Sequence, residues 1–168
     1  MKNNIGQYDL IRLSADQWQA YKDIRLEALQ AEPGKFGSNY AKESNYSDQE
    51  WSTLLENDNR AIFGLYHQSN LVGLTGVALF YGDHSKALLF SSYIKSEHRG
   101  KGLSTLFYEE RMAWARQKNC RSILVSHRAG NEASKAANQR FGFVYTHSEK
   151  VTWPDGSTDD ELMYSLDI

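Results

Sequence analysis

The chain has 168 residues, of which 40% are hydrophobic and 24% charged, and its formal net charge is −2. This length and composition predict a single domain, residues 1–168, with a substantial core. A net charge so near zero provides no field for a polyanion, so nucleic-acid binding is not expected. The single cysteine, Cys120, can form no internal disulfide, which indicates a reducing, cytoplasmic location. No apolar run is long enough for a signal peptide or a membrane span, so no membrane partner is expected.

The N-terminal half predicts a strand, two helices and a hairpin. In chain order these are a strand over 8–13, helices over 16–31 and 48–56, and paired strands over 60–66 and 71–80. Ser47 and Glu50 form a capping-box pattern at the second helix. Gly73 and Gly76 predict a bulge or a close neighbour in the second strand of the hairpin. The following aromatic residues either line a substrate pocket or cover the sheet: Phe36, Tyr40, Tyr46 and Trp51.

The C-terminal half predicts alternating strands and helices. In order these are a strand over 86–94, a helix over 103–118, a strand over 122–126, a helix from about Asn131, and strands over 143–152 and 158–166. The predicted sheet-facing residues of the long helix are Leu103, Leu106, Phe107, Ala113 and Trp114. Because strand 122–126 follows a helix, it is expected to run parallel to strand 86–94. The order predicts an α/β protein with a central mixed sheet flanked by about four helices.

A basic, glycine-rich turn joins the strand that ends at Ile94 to the long helix. Gly100 and Gly102 allow the backbone to turn tightly and to approach a ligand closely, because no Cβ intervenes. The first turn of the helix contains no Asp or Glu, so its free N–H groups and positive dipole end remain available. Arg99 and Lys101 add positive charge. The pattern predicts a phosphate-binding turn. The simpler alternative is an ordinary strand-to-helix turn with two solvated cations.

A dinucleotide fingerprint is the second alternative for this turn. Residues 100–105 match G-x-G-x-x, but Thr105 stands where the last glycine belongs. The fingerprint also requires an acidic residue about 20 positions further on, at the end of the next strand. That strand ends in His127 and Arg128, and the sequence contains no Walker A pattern. These departures disfavour the dinucleotide interpretation.

The same segment, Arg99-Gly100-Lys101-Gly102-Leu103-Ser104, resembles the R/Q-x-x-G-x-G/A motif of the GNAT superfamily of N-acetyltransferases. Residues 131–143 are similar to the family's N-x-x-A/S-x-x-x-Y-x-K-x-G-F block, and the two blocks have the family's order and spacing. The resemblance implies a GNAT-like acyl-CoA N-acyltransferase fold with acetyl-CoA as the cosubstrate. It implies acetyl transfer to a primary amine of a small molecule or peptide N-terminus, by direct attack in a ternary complex. The alternative is a non-catalytic acyl-CoA-binding module or sensor with this fold. A homodimer is considered, because dimers are frequent among relatives.

The resemblance also implies where the cofactor binds. The expected cofactor-binding residues are Ser92, Tyr93 and Ile94 on the strand, Arg99, Gly100, Lys101, Gly102, Leu103 and Ser104 in the turn, and Asn131, Ser134 and Asn138 on the next helix. Asn138 stands where many members have the tyrosine that protonates the departing thiolate. Because an amide cannot deliver a proton, we expect Asn138 to bond the cofactor or to orient a water.

The general base is less defined by the sequence. Candidates are Asp83, His84 and Glu97, with Tyr93 acting through water, and the alternative for each is a solvated surface group. The five histidines show no spacing typical of metal ligands, so no metal is predicted.

Overall fold

The computed structural model describes residues 3–168, with side chains from residue 6 onward. One eight-stranded sheet contains all the strands, in the order β1-β2-β3-β4-β5-β6-β8-β7. The strands are β1 (Asn3–Ile5), β2 (Tyr8–Arg12), β3 (Arg60–His67), β4 (Asn70–Phe80), β5 (Asp83–Ile94), β6 (Ser122–Arg128), β7 (Val144–Thr152) and β8 (Thr158–Asp167). The helices are α1 (Trp18–Ala31), α2 (Tyr40–Glu43), α3 (Asp48–Glu56), α4 (Ser104–Gln117) and α5 (Glu132–Arg140).

The sheet is mixed, as the sequence predicts. The pair β5–β6 is parallel, and every other neighbouring pair is antiparallel. Two described elements are absent from the prediction, β1 and α2, which have three and four residues. Elements this short show no hydrophobic period. The helix α2 depends instead on one cap, the Asn39 side chain accepting from the Lys42 backbone N–H at 2.8 Å.

Alternate residues of the strands pack against helices on the two faces of the sheet. Leu10, Phe63 and Leu65 belong to the core beneath α4, whereas Leu13 and Ile62 pack with α1 and α3. This alternation follows from the two-residue period of a strand. As a result, α1 and α3 cover one face, and α4 covers the other.

The buried face of α4 differs from the predicted one at four positions. Leu106, Phe107 and Trp114 are buried as predicted, but Ala113 is exposed and Ala115 is buried. The face also buries Tyr108 and Arg111, which a search for apolar residues passes over. The cysteine Cys120 is buried in the same core.

Within residues 3–168 no helix is long and apolar enough to cross a membrane. In the same range, no group of three or more His, Cys, Asp or Glu side chains is arranged to hold a metal ion.

Candidate active site

The parallel strands β5 and β6 are paired along only part of their length. Their paired residues are Lys86 with Ser122, Ala87 with Ile123, and Leu88 with Leu124. Beyond Leu88, β5 continues to Ile94 and β6 continues to Arg128 without pairing to each other. The two strands therefore separate and leave a cleft through the sheet, with unpaired backbone groups on its walls.

A β-bulge in β5 lies at this cleft. Between the pairs Leu74–Tyr93 and Gly76–Phe90, one residue of β4, Thr75, faces two residues of β5. The first of these, Ser91, has a φ of +59°, and the hydroxyl of the second, Ser92, bonds that of Thr75 at 2.7 Å. Such a bulge bends its strand and redirects its side chains and N–H groups.

Two glycines of β4 make room for the bent strand, which confirms their predicted role. A Cβ on Gly76 would lie 2.6 Å from the Phe90 ring, and one on Gly73 would lie 2.8 Å from the carbonyl oxygen of Tyr93. The bulged part of β5 therefore packs directly against the β4 backbone.

A cavity of about 200 Å³ occupies the cleft. On one side it is lined by Lys35 and Phe36, from the segment between α1 and α2. On the other side it is lined by Tyr108 and Arg111 of α4 and by Asn138 of α5. A ligand in this cavity would contact both faces of the sheet.

The glycine-rich turn lies between the end of β5 and the start of α4. Gly100 and Gly102 have φ values of +77° and +75°, and nothing lies within 4 Å of a Cβ built at either position. In the described part of the chain, no protein acceptor is recorded for the backbone N–H groups of residues 100–104. The helix α4 also lacks an acidic residue in its first turn and a side-chain cap. The turn is thus an open, positively polarised site for a phosphate oxygen.

The Arg99 side chain points away from this turn. Its Nε donates to the carbonyl oxygen of Ile94 at 2.6 Å, and its Nη2 lies 3.1 Å from Glu32. The guanidinium also packs over the ring of Tyr93. Arg99 therefore fixes the turn to the end of β5 and to the segment after α1, and leaves the exposed Lys101 as the free cation of the turn.

The start of α5 forms another wall of the cleft. Asn131 caps the helix, with its side-chain oxygen accepting from the Ser134 N–H at 3.2 Å. Both residues line the cavity. The structure thus places these two predicted cofactor-binding residues beside the cleft.

Asn138 is almost completely buried, with 2% of its surface exposed. Its side-chain oxygen accepts a 2.6 Å hydrogen bond from the hydroxyl of Tyr108, and burial raises the pKa of that hydroxyl. The side-chain nitrogen of Asn138 is buried and has no partner among the described residues. Because the Tyr108 hydroxyl bonds one end of the amide, the unsatisfied N–H donors occupy the other end.

Arg111 lies directly beneath the bulge. Its Nε donates to the Phe107 carbonyl oxygen at 3.0 Å, and its Nη1 contacts the Ser92 hydroxyl at 3.2 Å and the Gly76 carbonyl oxygen at 3.4 Å. Burial lowers the pKa of this guanidinium to about 10, so it remains charged at neutral pH. No carboxylate of the described chain pairs with it, although buried charges are normally paired.

A larger groove of about 850 Å³ opens on the opposite face, over β5, β6, β8 and β7. Its apolar lining includes Phe36, Leu124 and Met163. Among its charged residues, Arg128 pairs with Asp155 and Asp159, whereas the described residues include no partner for Glu161. Several residues, Phe36 and Phe90 among them, line both the groove and the cavity in the cleft, so the two spaces adjoin.

The other three aromatic residues that were predicted either to line a substrate pocket or to cover the sheet line neither the cavity nor the groove. Trp51 is fully buried between α1 and the sheet, and Tyr46 packs against it. Tyr40 is exposed and lines neither the cavity nor the groove.

The candidate bases do not converge on the cleft. Asp83 and His84 begin β5, roughly 20 Å along the strand from Leu89, where the cleft starts. Glu97 is exposed, and hydrogen bonds from the backbone and from Ser96 lower its pKa. The Tyr93 hydroxyl donates to Glu27 at 2.9 Å, and burial together with this carboxylate raises its pKa to about 12.

Comparison with known proteins identifies the family. The model of the acetyltransferase (GNAT) family matches residues 18–143, so the chain belongs to this family. It is therefore an acetyl-CoA-dependent N-acetyltransferase, as the motifs predict. A search of curated protein sequences finds no match.

Solved structures share the whole fold at low sequence identity. A GNAT acetyltransferase from Streptococcus pneumoniae has a TM-score of 0.80 at 16% identity, covering 96% of this chain and 99% of its own. The ribosomal-protein-alanine N-acetyltransferase of Brucella melitensis has a TM-score of 0.79 at 21% identity, covering 95% and 99%. A protein from Salmonella typhimurium, solved with its cofactor acetyl-CoA, has a TM-score of 0.79 at 15% identity, covering 96% and 94%. These similarities confirm the GNAT fold.

The residues of the cleft fit acetyl-CoA. The free N–H groups of residues 100–104 suit a pyrophosphate, and the unpaired wall of β5 suits the amides of a pantetheine arm. The unsatisfied nitrogen of Asn138 needs an acceptor that a ligand can supply. When bound, acetyl-CoA would supply the activated acetyl group.

Two residues of α4 that line the cavity, Tyr108 and Arg111, were not predicted from the sequence. Tyr108 and Arg111 lie one and four positions after Phe107, within the helix face that packs on the sheet. The helical period therefore indicates that both residues are buried, provided that polar residues are considered together with apolar ones.

Proposed function

We propose that this enzyme binds acetyl-CoA in the cleft between β5 and β6 and transfers the acetyl group to a primary amine that approaches through the groove. The observation that supports this most is the end of β5–β6 pairing at Leu88 and Leu124, beside a turn with free N–H groups. The backbone of residues 92–94 would hold the pantetheine arm and polarise the thioester carbonyl. The turn at 99–104 would bind the pyrophosphate, and Asn131, Ser134 and Asn138 would line the cofactor from α5.

The acceptor is proposed to be a small molecule or a peptide N-terminus. The groove is partly apolar and has a volume of about 850 Å³, and one structural neighbour is a ribosomal-protein-alanine N-acetyltransferase. Glu161 is the groove carboxylate that would bind the ammonium group of the acceptor. If so, Glu161→Gln raises the KM for the amine about tenfold, because one charged hydrogen bond is lost, and leaves the Kd for acetyl-CoA unchanged. An unchanged KM for the amine would remove Glu161 from the acceptor site.

The first test is thermal unfolding with acetyl-CoA, CoA, NADH and ATP added separately. A ligand that binds only the native state raises the midpoint by mass action. We expect a rise with acetyl-CoA and CoA alone. No rise with either CoA species would contradict the proposed site, and a rise with NADH would favour a dinucleotide site.

A matched pair of glycine variants assigns binding to the turn. Gly102 and Gly82 have φ values of +75° and +85°, and both face open space, so a glutamate strains the backbone similarly at either position. Gly102→Glu places a negative charge in the phosphate site and should abolish the midpoint shift with CoA. Gly82→Glu, in the turn before β5, should keep it. Equal CoA binding by the two variants would contradict the assignment.

Turnover separates an enzyme from the alternative of a non-catalytic module. CoA release from acetyl-CoA, followed with a thiol reagent across a panel of amines, should depend on the amine. Binding without release for any small amine or peptide would favour the module.

Three broader features are also proposed. One domain is supported by a single sheet that contains strands from both ends of the described chain. A cytoplasmic location is supported by Cys120, which is free and buried. A homodimer remains a prediction that a sedimentation measurement would test.

A further inference from the structure

Two buried groups in the cleft wall lack the partner that their chemistry requires. Arg111 carries a positive charge with 3% of its surface exposed and has no carboxylate partner in the described chain. Asn138 presents an unsatisfied N–H donor and is 2% exposed. Both line the same cavity. Burial of an unpaired charge or of an unsatisfied donor destabilises the fold. A bound ligand that supplies a negative charge and an acceptor would remove this cost.

Tyr108 links these two groups. Its hydroxyl fixes the oxygen end of the Asn138 amide at 2.6 Å, and its ring lies under the Arg111 guanidinium at 5.2 Å. The ring also stacks on Phe141 at 4.2 Å, which restricts its motion. Tyr108 therefore orients the Asn138 amide and packs against the Arg111 guanidinium. Its own proton is already donated to Asn138.

From this arrangement we infer that Arg111 and Asn138, positioned by Tyr108, form a site for the thiolate of CoA. This inference rests on the proposed function and adds to it the means by which the leaving group departs. In the reaction, the amine nitrogen forms a bond to the acetyl carbon, the carbon–sulfur bond breaks, and the electron pair remains on sulfur. The proton of the amine leaves to water in the groove. Stabilised by a positive charge and an N–H donor, the sulfur needs no proton donor.

This site accounts for the asparagine at position 138. A tyrosine hydroxyl would give its proton to the sulfur, whereas Arg111 and Asn138 bind the sulfur in its charged form. The contacts of Arg111 with Ser92 and the Gly76 carbonyl place its charge at the bulge, where the thioester is proposed to lie.

The other charged and titratable side chains of the cavity already have partners. Glu32 pairs with Lys35 and Arg99. The two ring nitrogens of His127 lie within hydrogen-bond distance of the Arg128 carbonyl oxygen and the Tyr164 hydroxyl. Arg111 has polar contacts as well, but it is the buried cation of the cavity whose charge no carboxylate of the described chain neutralises.

The test measures the pKa of the CoA thiol in the complex. Thiolate absorbance is followed against pH for enzyme-bound CoA, with bound desulfo-CoA as the blank, so that the protein and adenine contributions cancel. A positive charge nearby lowers a thiol pKa by about 1–3 units, so we expect such a decrease relative to free CoA. By linkage, the Kd for CoA should decrease as pH rises through the bound thiol pKa, while that for desulfo-CoA stays constant.

Variants separate the electrostatic role from a structural one. Arg111→Gln should return the bound thiol pKa to the value of free CoA and lower kcat about 100-fold. Arg111→Lys should retain most of the effect. Arg116→Gln removes the same charge from an exposed position on α4 and should change neither value. If Arg111→Gln does not fold, Asn138→Asp makes the test, because an anion of the same shape should raise the bound thiol pKa above that of free CoA.

The outcomes distinguish this inference from the function on which it rests. If wild-type enzyme does not bind CoA, both are wrong. If it binds CoA with an unchanged thiol pKa, the cofactor site stands and the thiolate site is overturned. Tyr108→Phe should give an intermediate thiol pKa, because the ring remains and only the orientation of Asn138 is lost.

Discussion

The pair Arg25–Glu43 is the most buried ion pair of the described residues. Its two hydrogen bonds, from Nε and Nη2 of Arg25, are both 2.9 Å long, and the two side chains are 8% and 7% exposed. The remaining nitrogen, Nη1, donates to the Ser91 hydroxyl at 3.1 Å. The pair thus connects α1, α2 and the bulge of β5. It stabilises the outer wall of the cleft.

Removal of the Glu43 charge should destabilise the enzyme strongly. Glu43→Gln leaves Arg25 buried without its counter-charge, which costs about 3–5 kcal/mol in the free energy of unfolding. Urea denaturation measures this loss. Asp160→Asn, which breaks the exposed pair with Lys150, should cost less than about 1 kcal/mol. Similar losses for the two variants would contradict the assigned role.

The same pair predicts how stability depends on pH. Burial by itself raises the pKa of Glu43, but the hydrogen bonds and charge of Arg25 outweigh it, so the pKa lies below its ordinary value of 4.5. A lowered folded-state pKa contributes stability above the unfolded value and loses it as pH falls through the folded value. Wild-type stability should therefore decline below about pH 4.5 more steeply than that of Glu43→Gln. Parallel profiles would contradict this linkage.

Tyr93 illustrates a predicted site residue that the structure ties to another partner. Its hydroxyl donates to Glu27, and its pKa of about 12 keeps it protonated in any ordinary assay. Tyr93→Phe should leave kcat and the pH–rate profile unchanged and lower the free energy of unfolding by about 1 kcal/mol for one hydrogen bond. A lost limb of the pH–rate profile would return Tyr93 to the catalytic residues.

At the scale of elements, the bulge of β5 determines the shape of the cleft. Gly76→Ala would place a methyl group 2.6 Å from the Phe90 ring and push the bulged strand away from β4. Overpacking of this kind costs about 1–3 kcal/mol. Because Phe90 lines both the cavity and the groove, the Kd for acetyl-CoA and the KM for the amine should both rise.

The control for this change is Gly37→Ala, in the segment between α1 and α2. No atom lies within 4 Å of a Cβ built there, and the residue also lines the groove. We expect no change in stability or in the Kd for acetyl-CoA. Calorimetric titration of both variants makes the comparison, and an unchanged Kd for Gly76→Ala would show that the cleft tolerates a displaced Phe90.

Elements with a clear hydrophobic period, a capping box or a turn marked by glycines could be predicted from the sequence, whereas the bulge of β5 could not. The helix α3 is observed at Asp48–Glu56, because Ser47 and Glu50 form the expected capping box. The bulge at Ser91 could not be predicted, because a serine with positive φ has no local sequence signature. The bulge depends on tertiary packing, in which the neighbouring Phe90 lies against Gly76. Likewise, the turn at 100–102 could be predicted from its glycines, but the inward position of Arg111 depends on the tertiary fold.

At the scale of the whole molecule, the cleft and the groove would give the two proposed substrates separate approaches. The turn at the start of α4 lies beyond the end of β5, whereas the groove opens on the sheet face opposite α4. Cys120, the one thiol of the chain, is buried beside the carbonyl oxygen of His84, away from both. The geometry favours direct transfer within a ternary complex.

This predicts sequential kinetics. Initial rates measured at several amine and acetyl-CoA concentrations should give intersecting double-reciprocal lines, and Cys120→Ala should keep the same pattern. Parallel lines, or an acetylated protein after incubation with acetyl-CoA alone, would indicate a covalent acetyl-enzyme instead.

The short pairing of β5 with β6 has a mechanical consequence. Three residue pairs join the strands of residues 3–94 to those of residues 122–167. The chain connects these two parts of the sheet through α4. Under a force applied across it, this seam should part before the neighbouring strand pairs β4–β5 and β6–β8, because those pairs have more hydrogen-bonded residues to share the load. A cofactor that is hydrogen-bonded to both strands would add bonds across this seam. Single-molecule pulling should then show a rupture force that increases when CoA is added.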